Sequence, residues 1–459
     1  MSLLKFSVLK LLKKFLTQGH ERSIKAKKNI SALFLIKGLS IAISLIIVPL
    51  TINYINPSRY GIWLTISSIV GWFSFFDIGL TQGLRNNFAV AKAKNDDSLI
   101  QTYVSTTYAL LALIFSGVWI VFIIVNHFLN WSSILNVPEE MRNEVTQLAI
   151  IVFSYFCIDF ILRIITTLLT ANQQPAKSSI IDVLGQILSL IFIVLLVKST
   201  EGSLIKLGFA LCLSPLIVLL LTNLYFFRSE FKKYRPVFSK IKFSTSKQLF
   251  NVGFVFFIIQ VAAVIQFQTA NIVIAQNFNT EQVTSYNIVY KYFGVLNMVF
   301  AIFLSPFWSA ATEAFHKNDI QWIKNSMNRY NQLNLVLLGV GIIMLVLSET
   351  IYRLWLGKAV VQIDFALSFW GFIYFNIYIF GGKYVHFLNG INALKIQFYS
   401  SILSPILYIL LALLFFQYFH LGVYAIFLAS ILANFNGYII APLQYHKIIN
   451  LNKKGIWIK

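Results

Sequence analysis

The sequence predicts an all-α polytopic membrane protein of about twelve transmembrane helices, arranged as two six-helix bundles related by a parallel repeat. Three observations predict it. Hydrophobic residues make up 58% of the 459 and charged residues only 12%, against about 45–50% and about 25% in soluble globular chains. Twelve apolar segments follow one another, each near the ~20 residues that a membrane crossing requires, and no loop between them is long enough for a separate soluble domain. Short sequence matches also recur at a near-constant offset. This composition excludes disordered, coiled-coil and collagen-like chains and an ordinary cytosolic enzyme.

The elements follow in order. Residues 1–29 hold eight Lys/Arg. Leu4, Val8, Leu11 and Phe15 share one helical face, with Lys10, Lys13 and Lys14 elsewhere, the pattern of an amphipathic helix lying at a membrane interface. Lysines interrupt each apolar stretch and no small-residue cleavage site follows, so the segment is expected to be a poor signal peptide. The apolar segments lie at 30–52, 61–82, 102–126, 146–169, 178–197 and 204–227, then at 248–276, 285–309, 331–351, 365–388, 398–419 and 423–445. Residues 30–227 form the first bundle and 248–445 the second. The basic stretch 228–247 joins them, and 446–459 is a tail.

An even number of crossings puts both termini on one side. The loops and termini on that side carry 27 Lys/Arg, and the opposite loops carry 5. Excess basic charge marks the cytoplasmic side, so both termini are expected in the cytoplasm. The net charge of +21 is thereby a matter of topology and of attraction to anionic inner-leaflet lipids. Nucleic acid is not implied.

The repeat is carried by short matches. Tyr60 opens the second segment and Tyr286 the eighth, 226 residues apart. The tripeptide Lys94-Asn95-Asp96 returns as Lys317-Asn318-Asp319, 223 residues on. Asn172 follows the fourth segment and Asn389 the tenth, 217 residues on. Six crossings is an even number, so the halves are expected in the same orientation.

Little enzyme chemistry is written in the chain. The six histidines show no metal-ligand spacing. Neither a phosphate-binding Walker A sequence nor a GxSxG nucleophile elbow occurs. Glu139, Glu140 and Glu144 form a solvated acidic face, and Cys157 and Cys212 lie in apolar runs that suit neither a disulfide nor a redox pair. No cofactor is expected, and a proton or sodium gradient is the expected energy source.

The informative residues are ionisable groups within spans, where charge is costly. The basic ones are Lys37, Arg163, Lys206, Lys291 and Lys383, and the acidic ones Asp77, Asp159 and Asp182. Asp159 and Arg163, four apart on one helix, can form an ion pair. Lys206 and Lys383 lie within two turns of a membrane face, where a long side chain can reach the interface. Asp77 is two turns from Arg85. Lys37 and Lys291 lie about seven residues, or ~10 Å of helix, inside their spans, so a water-filled cavity is expected around them. Cations in a cavity suit an anionic substrate, and buried carboxylates beside it can take up a proton or sodium ion. Gln260, Gln268 and Asn271 make an amide stripe on the seventh segment that either meets sugar hydroxyls or bonds between helices.

Several stretches resemble a known family. Phe76-Asp77-Ile78-Gly79-Leu80, Gly83-Leu84-Arg85-Asn86 and Ala91-Lys92-Ala93-Lys94-Asn95-Asp96 resemble the end of the second helix in polysaccharide transporters. Ser305-Pro306-Phe307-Trp308-Ser309-Ala310, Thr312-Glu313-Ala314 and Trp322-Ile323-Lys324 resemble their eighth helix and following loop. Leu354-Trp355-Leu356-Gly357 and Phe387-Leu388-Asn389-Gly390 fit the same pattern. The family is that of bacterial oligosaccharide flippases, including O-antigen translocases of the Wzx type, within the larger group that holds the multidrug MATE exporters and the lipid II flippase.

The resemblance implies a V-shaped, MATE-like pair of bundles. It also implies translocation of a polyprenyl-pyrophosphate-linked oligosaccharide from the inner to the outer leaflet by alternating access, with an ion gradient as the favoured drive. Cavity cations of the family on helices 1, 2 and 8 correspond by position to Lys37, Arg85 and Lys291. Many relatives carry an acid on helix 7 where Asn271 stands, which directs ion coupling to Asp77, Asp159 and Asp182. Lys37, Arg85, Lys291, Lys383, Gln268 and Asn271 are then the expected substrate contacts. The polymerase and chain-length proteins of the same pathway are the expected partners. Two other classes stay open: a MATE-like exporter of cationic drugs, which the basic cavity residues disfavour, and a membrane polymerase or ligase, which would carry a large outer loop that is missing here.

Overall fold

A computed structural model describes residues 21–72, 80–172, 174–245, 261, 268–357, 361–391 and 393–458. Among these residues every regular element is helical, as the bilayer requires. With no water to bond the backbone, an apolar segment must satisfy its own N–H and C=O groups. The first half holds α1 (Glu21–Ile55), α2 (Pro57–Gly71), α3 (Leu80–Ala93), α4 (Asp97–Asn126) and α5 (Trp131–Leu135). It continues with α6 (Arg142–Leu162), α7 (Ile164–Ala171), α8 (Pro175–Ser199) and α9 (Leu204–Arg228). The second half holds α10 (Thr280–His316), α11 (Ile320–Val346), α12 (Ser348–Leu356), α13 (Phe365–Gly390), α14 (Lys395–Leu413), α15 (Ala425–Ala433) and α16 (Ala441–Ile449).

Nine of the described helices are long and apolar enough to cross a membrane. A tenth crossing arises if Ala425–Ala433 and Asn436–Ile449, bent by 49°, count as one. The protein is thus a multi-pass membrane protein. The expected second span is divided between α2 and α3 by residues outside the description, and the seventh falls largely on such residues, so the count of twelve is not established. The amphipathic segment over residues 1–20, Asp77 and Gln260 also lie outside the described residues.

The repeated tripeptide has one geometry in both halves. Asn95 and Asn318 adopt left-handed backbone, with φ of 56° and 57°, a conformation that asparagine tolerates better than most residues. The following Asp96 and Asp319 donate their backbone N–H to the carbonyls of Ala91 (3.1 Å) and Ala314 (2.8 Å), five residues back. Their carboxylates then cap the next helix, accepting from Leu99 N (2.9 Å) and Trp322 N (3.0 Å). Helix stop, turn and helix start are written in three residues, twice.

Within the first half, α1 packs along α8, α9 lies between α8 and α6, and α4 packs on α6. Within the second, α13 is central, against α10, α11 and the π-turn Asn436–Ile440. The halves meet where α10 lies along α2. Besides bonds of Asn271 and Lys291 to α2 within the span, a cluster of mutual hydrogen bonds falls toward the end opposite the termini. Ser58 and Thr280 share a hydroxyl hydrogen bond (2.9 Å), and Thr284 donates to the Pro57 carbonyl (2.6 Å). Asn136 donates to the carbonyls of Ala275 and Phe278 (3.3 and 3.2 Å), Gln276 donates to Ile134, and the Trp355 indole donates to Leu45 O (2.6 Å).

After α9 the linker folds back as three short 3₁₀ turns (Lys232–Tyr234, Phe238–Lys240, Phe243–Thr245) along the start of α4. Lys233 and Tyr234 bond Asp97 (3.1 and 3.0 Å), and Lys240 bonds Ser98 (2.8 Å). Buried Phe231 and the edge of Tyr234 against Phe88 supply the apolar contact.

Candidate functional site

A cavity of about 730 Å³ opens inside the first half. Its walls come from α1, α2, α6, α8 and α9, and α10 of the second half adds Lys291. The charged groups on its wall are Lys37, Arg163, Asp182 and Lys291. Hydroxyls and amides lie beside them, and Ser40 donates to Gln186 (2.9 Å) to tie α1 to α8.

Arg163 is placed by a break in the helix. The chain leaves α6 and re-enters helix as α7 at this residue, whose N–H still bonds Asp159 O (2.8 Å) while its carbonyl accepts from Thr166 N (3.0 Å). The guanidinium grips Asp159 through two bonds, Nε–Oδ2 at 2.8 Å and Nη2–Oδ1 at 3.0 Å. Its third nitrogen reaches across to Asp182 on α8 at 2.7 Å. Asp159 is 7% exposed, whereas the Asp182 side chain keeps 47% of its surface. One arginine therefore neutralises a buried acid and holds a second at the cavity wall, in the forked geometry suited to carboxylates.

The lysines differ. Lys37 is exposed to the cavity, and Lys291 is half-buried with its Nζ 3.3 Å from the Tyr60 hydroxyl. Neither makes an ion pair among the described residues. Both line the cavity, and the Tyr60 hydroxyl meets Lys291, which leaves positive charge available to an anion.

The remaining candidates lie elsewhere. Arg85 is exposed on α3, away from the walls of this cavity. Lys383 does not reach an interface: it is fully buried. Asn334, its amide oriented to donate to the Tyr330 carbonyl (3.1 Å), accepts from Lys383 Nζ at 2.7 Å. The rings of Phe380 and Tyr384 lie 4.3 and 4.9 Å from the ammonium. Asn271 is buried between the halves, donating to Ser68 Oγ (2.5 Å) and accepting from Asn287 (2.7 Å). Of the two roles open to the amide stripe, Asn271 thus takes the interhelical one. Gln268 packs its amide against Gly71. Lys206 is exposed at the start of α9. Tyr60 entered the sequence reading only as a mark of the repeat and Gln186 not at all, because neither a tyrosine opening a span nor a lone glutamine carries a local mark of a site.

Comparison with known proteins agrees with this architecture. A family model described as polysaccharide biosynthesis protein matches residues 26–311. A Salmonella typhi protein provisionally named O-antigen transporter is 22% identical over 361 residues, which cover 77% of this chain and 81% of the relative. A Yersinia pseudotuberculosis protein provisionally named O-antigen export protein is 24% identical over 61% of this chain and 63% of its own. Among solved structures, an inward-facing multidrug-resistance MATE family transporter of the MOP superfamily superposes with a TM-score of 0.71 at 14% identity, covering 86% of this chain and 94% of that one. A MOP superfamily transporter from Pyrococcus furiosus gives 0.63 at 14% identity, covering 93% and 97%. These structures establish a MATE-like fold, and with more than half of its length matched by the family model, the chain belongs to the polysaccharide biosynthesis protein family.

Proposed function

We propose that this protein is a flippase that carries a polyprenyl-diphosphate-linked oligosaccharide unit from the inner to the outer leaflet of the bacterial plasma membrane. The unit would serve O-antigen, capsule or exopolysaccharide assembly. The observation that carries the reading is the cavity with Lys37 and Lys291, two cations with no acid partner among the described residues. A diphosphate is their natural counter-ion, since opposite charges attract more strongly in a cavity walled by protein than in bulk water. The names of the relatives, O-antigen transporter and O-antigen export protein, support the cargo class.

In this reading both termini face the cytoplasm. The halves are pinned together on the outer side, and the cavity receives cargo from within. Asp182 is the coupling acid best placed to exchange a proton or sodium ion, because it meets the cavity while Asp159 is held by Arg163. Asp77 remains a second coupling candidate.

The test is a charge swap. Lys291→Glu is expected to abolish surface polysaccharide and to raise the lipid-linked intermediate, with unchanged membrane insertion, while Lys291→Arg keeps the polymer. Full surface polymer from Lys291→Glu would overturn the cavity role.

A further inference from the structure

The second half encloses a cavity of its own, of about 340 Å³, lying between α10, α13, α14, α15 and the π-turn Asn436–Ile440. In chain order these are the second, fourth, fifth and sixth spans of their half. The cavity of the first half is walled by the same set from its own half, with α1 added. The two cavities therefore occupy corresponding places in the repeat.

Their chemistry does not correspond. No Asp, Glu, Lys or Arg lines the second cavity among the described residues. Its wall carries Ser400, Ser401, Ser404 and Ser430, with Tyr374 and Tyr378 beside them. The serines spend their protons on their own helices: Ser400 on Ile396 O (3.0 Å), Ser401 on Phe398 O (2.8 Å), Ser404 on Ser400 O (2.8 Å) and Ser430 on Ile426 O (2.8 Å). A hydroxyl has one proton and two lone pairs, so what these groups still offer a ligand is acceptors.

The amides of Asn297, Gln397, Asn434 and Asn436 and the His386 ring share this wall and can donate as well as accept. A lining without Asp, Glu, Lys or Arg thus offers no fixed counter-charge to phosphate and fits a polyhydroxylated molecule whose O–H groups both donate and accept. The rings of Tyr374 and Tyr378, 6.1 Å between centroids, supply faces against which the C–H side of a sugar ring can lie. The backbone of the π-turn approaches α13 closely at Gly381 and Gly437, and π-turns often mark functional sites. The volume falls within the ~300–1,000 Å³ of ligand pockets and far exceeds what a bare cation needs.

We infer that this second cavity binds the uncharged sugar portion of the cargo, apart from the cationic cavity that takes its diphosphate. The inference rests on the flippase reading for the identity of the cargo, and on the paired cavities for the division of labour between the halves.

The experiment uses the full chain in lipid nanodiscs and two probes. One is undecaprenyl diphosphate without sugar, and the other is the phosphate-free oligosaccharide released from the host's lipid-linked intermediate. Ser401→Phe, which fills the cavity, and Tyr378→Ala, at a half-exposed ring, are each expected to weaken oligosaccharide binding about tenfold and to leave diphosphate binding within about twofold. Lys291→Gln is expected to do the reverse. Oligosaccharide binding that is absent from the native protein, or unchanged in both variants, overturns the inference, as does equal loss of both probes. Loss of sodium-22 binding in place of oligosaccharide binding makes the cavity a cation site and also overturns it. If the native protein binds the oligosaccharide through these residues but not the prenyl diphosphate, the flippase reading fails and the sugar cavity stands.

Discussion

Gly61 meets the backbone of Thr280 so closely that a methyl group on its Cα would lie 1.7 Å from the Thr280 carbonyl oxygen. Gly61 belongs to α2 of the first half and Thr280 begins α10 of the second. No flexible side chain stands between them to give way. This contact is a point of close backbone approach in the seam between the halves, and the Ser58–Thr280 hydroxyl pair lies one turn away.

Gly61→Ala is expected to open that seam. A cysteine pair at Ser58 and Thr280 reports on it, since the native oxygens are 2.9 Å apart. The pair should cross-link readily with Gly61 in place and about tenfold less with Gly61→Ala, because overpacking against rigid backbone costs ~1–3 kcal/mol. Equal cross-linking in both backgrounds would show that the seam yields.

Removal of Arg163 is expected to be more damaging than removal of Asp182. Arg163→Ala strands Asp159, a buried acid; because the Arg163 side chain keeps 40% of its surface, the cost is ~1–3 kcal/mol, short of the ~3–5 kcal/mol of a fully buried pair. Asp182 retains 47% of its side-chain surface, so Asp182→Asn should change stability by only about 1 kcal/mol or less. Thermal unfolding of the two variants in detergent checks the contrast, and similar midpoints would refute it.

Two neighbouring glycines make a matched pair. A Cβ on Gly381 would meet the Gly437 carbonyl carbon and oxygen at 2.7 and 2.5 Å, whereas one on Gly437 meets nothing within 4 Å. Gly381→Ala should destabilise by ~1–3 kcal/mol, and Gly437→Ala should be neutral or slightly stabilising through helix propensity. Melting curves of the two proteins should separate accordingly.

The docking of the linker should depend on pH through Glu230. Partial burial opposes its ionisation, but hydrogen bonds from Lys177 and Gln174, with the charges of Lys177 and Lys92, outweigh that and hold its carboxyl below the usual range. A carboxylate depressed in this way contributes stability above its ordinary pKa of ~4.3, and the contribution fades as pH falls through the lowered value. Hydrogen exchange of residues 229–236 should therefore quicken on acidification below that range. In Glu230→Gln it should be fast already and respond less to pH. Identical profiles for both proteins would exclude the mechanism.

Much of the fold was legible in the sequence because the bilayer enforces a simple rule: a long apolar run must be a helix. The recurring turn was legible for a different reason. Asn95-Asp96 and Asn318-Asp319 do local backbone work, so their chemistry survives wherever the same turn is made. The Asp159–Arg163 spacing likewise follows from helix geometry alone. What spacing could not reveal was direction in three dimensions. Asn271 and Gln268 share a stripe with Gln260, yet Asn271 is spent on Ser68 and Asn287 at the seam. Lys383 lies near the end of a span but turns inward to Asn334, Phe380 and Tyr384. Asp182 as the third partner of Arg163 depends on the packing of α8 against the α6–α7 break, which no local pattern encodes. The serines of the second cavity were passed over because isolated Ser400, Ser401 and Ser404 in an apolar run read as ordinary helix content.

Apart from the cavity wall, where Lys291 Nζ meets the Tyr60 hydroxyl, the hydrogen bonds between the halves join neutral groups. Hydroxyl meets hydroxyl at Ser58 and Thr280, amide meets carbonyl at Asn136 and Gln276, and indole meets carbonyl at Trp355. No ion pair joins the halves among the described residues. Each such bond contributes a net ~0.5–1.5 kcal/mol, and water takes its place when the partners part. A clasp of this kind has no charge to rehydrate on release and is barely screened by salt. Its strength should be the same in dilute and in concentrated electrolyte, and the membrane voltage has no charge in it to pull on. Any electrical sensitivity of the transport cycle must then enter through the ionisable groups of the cavity, leaving the clasp to respond to occupancy alone.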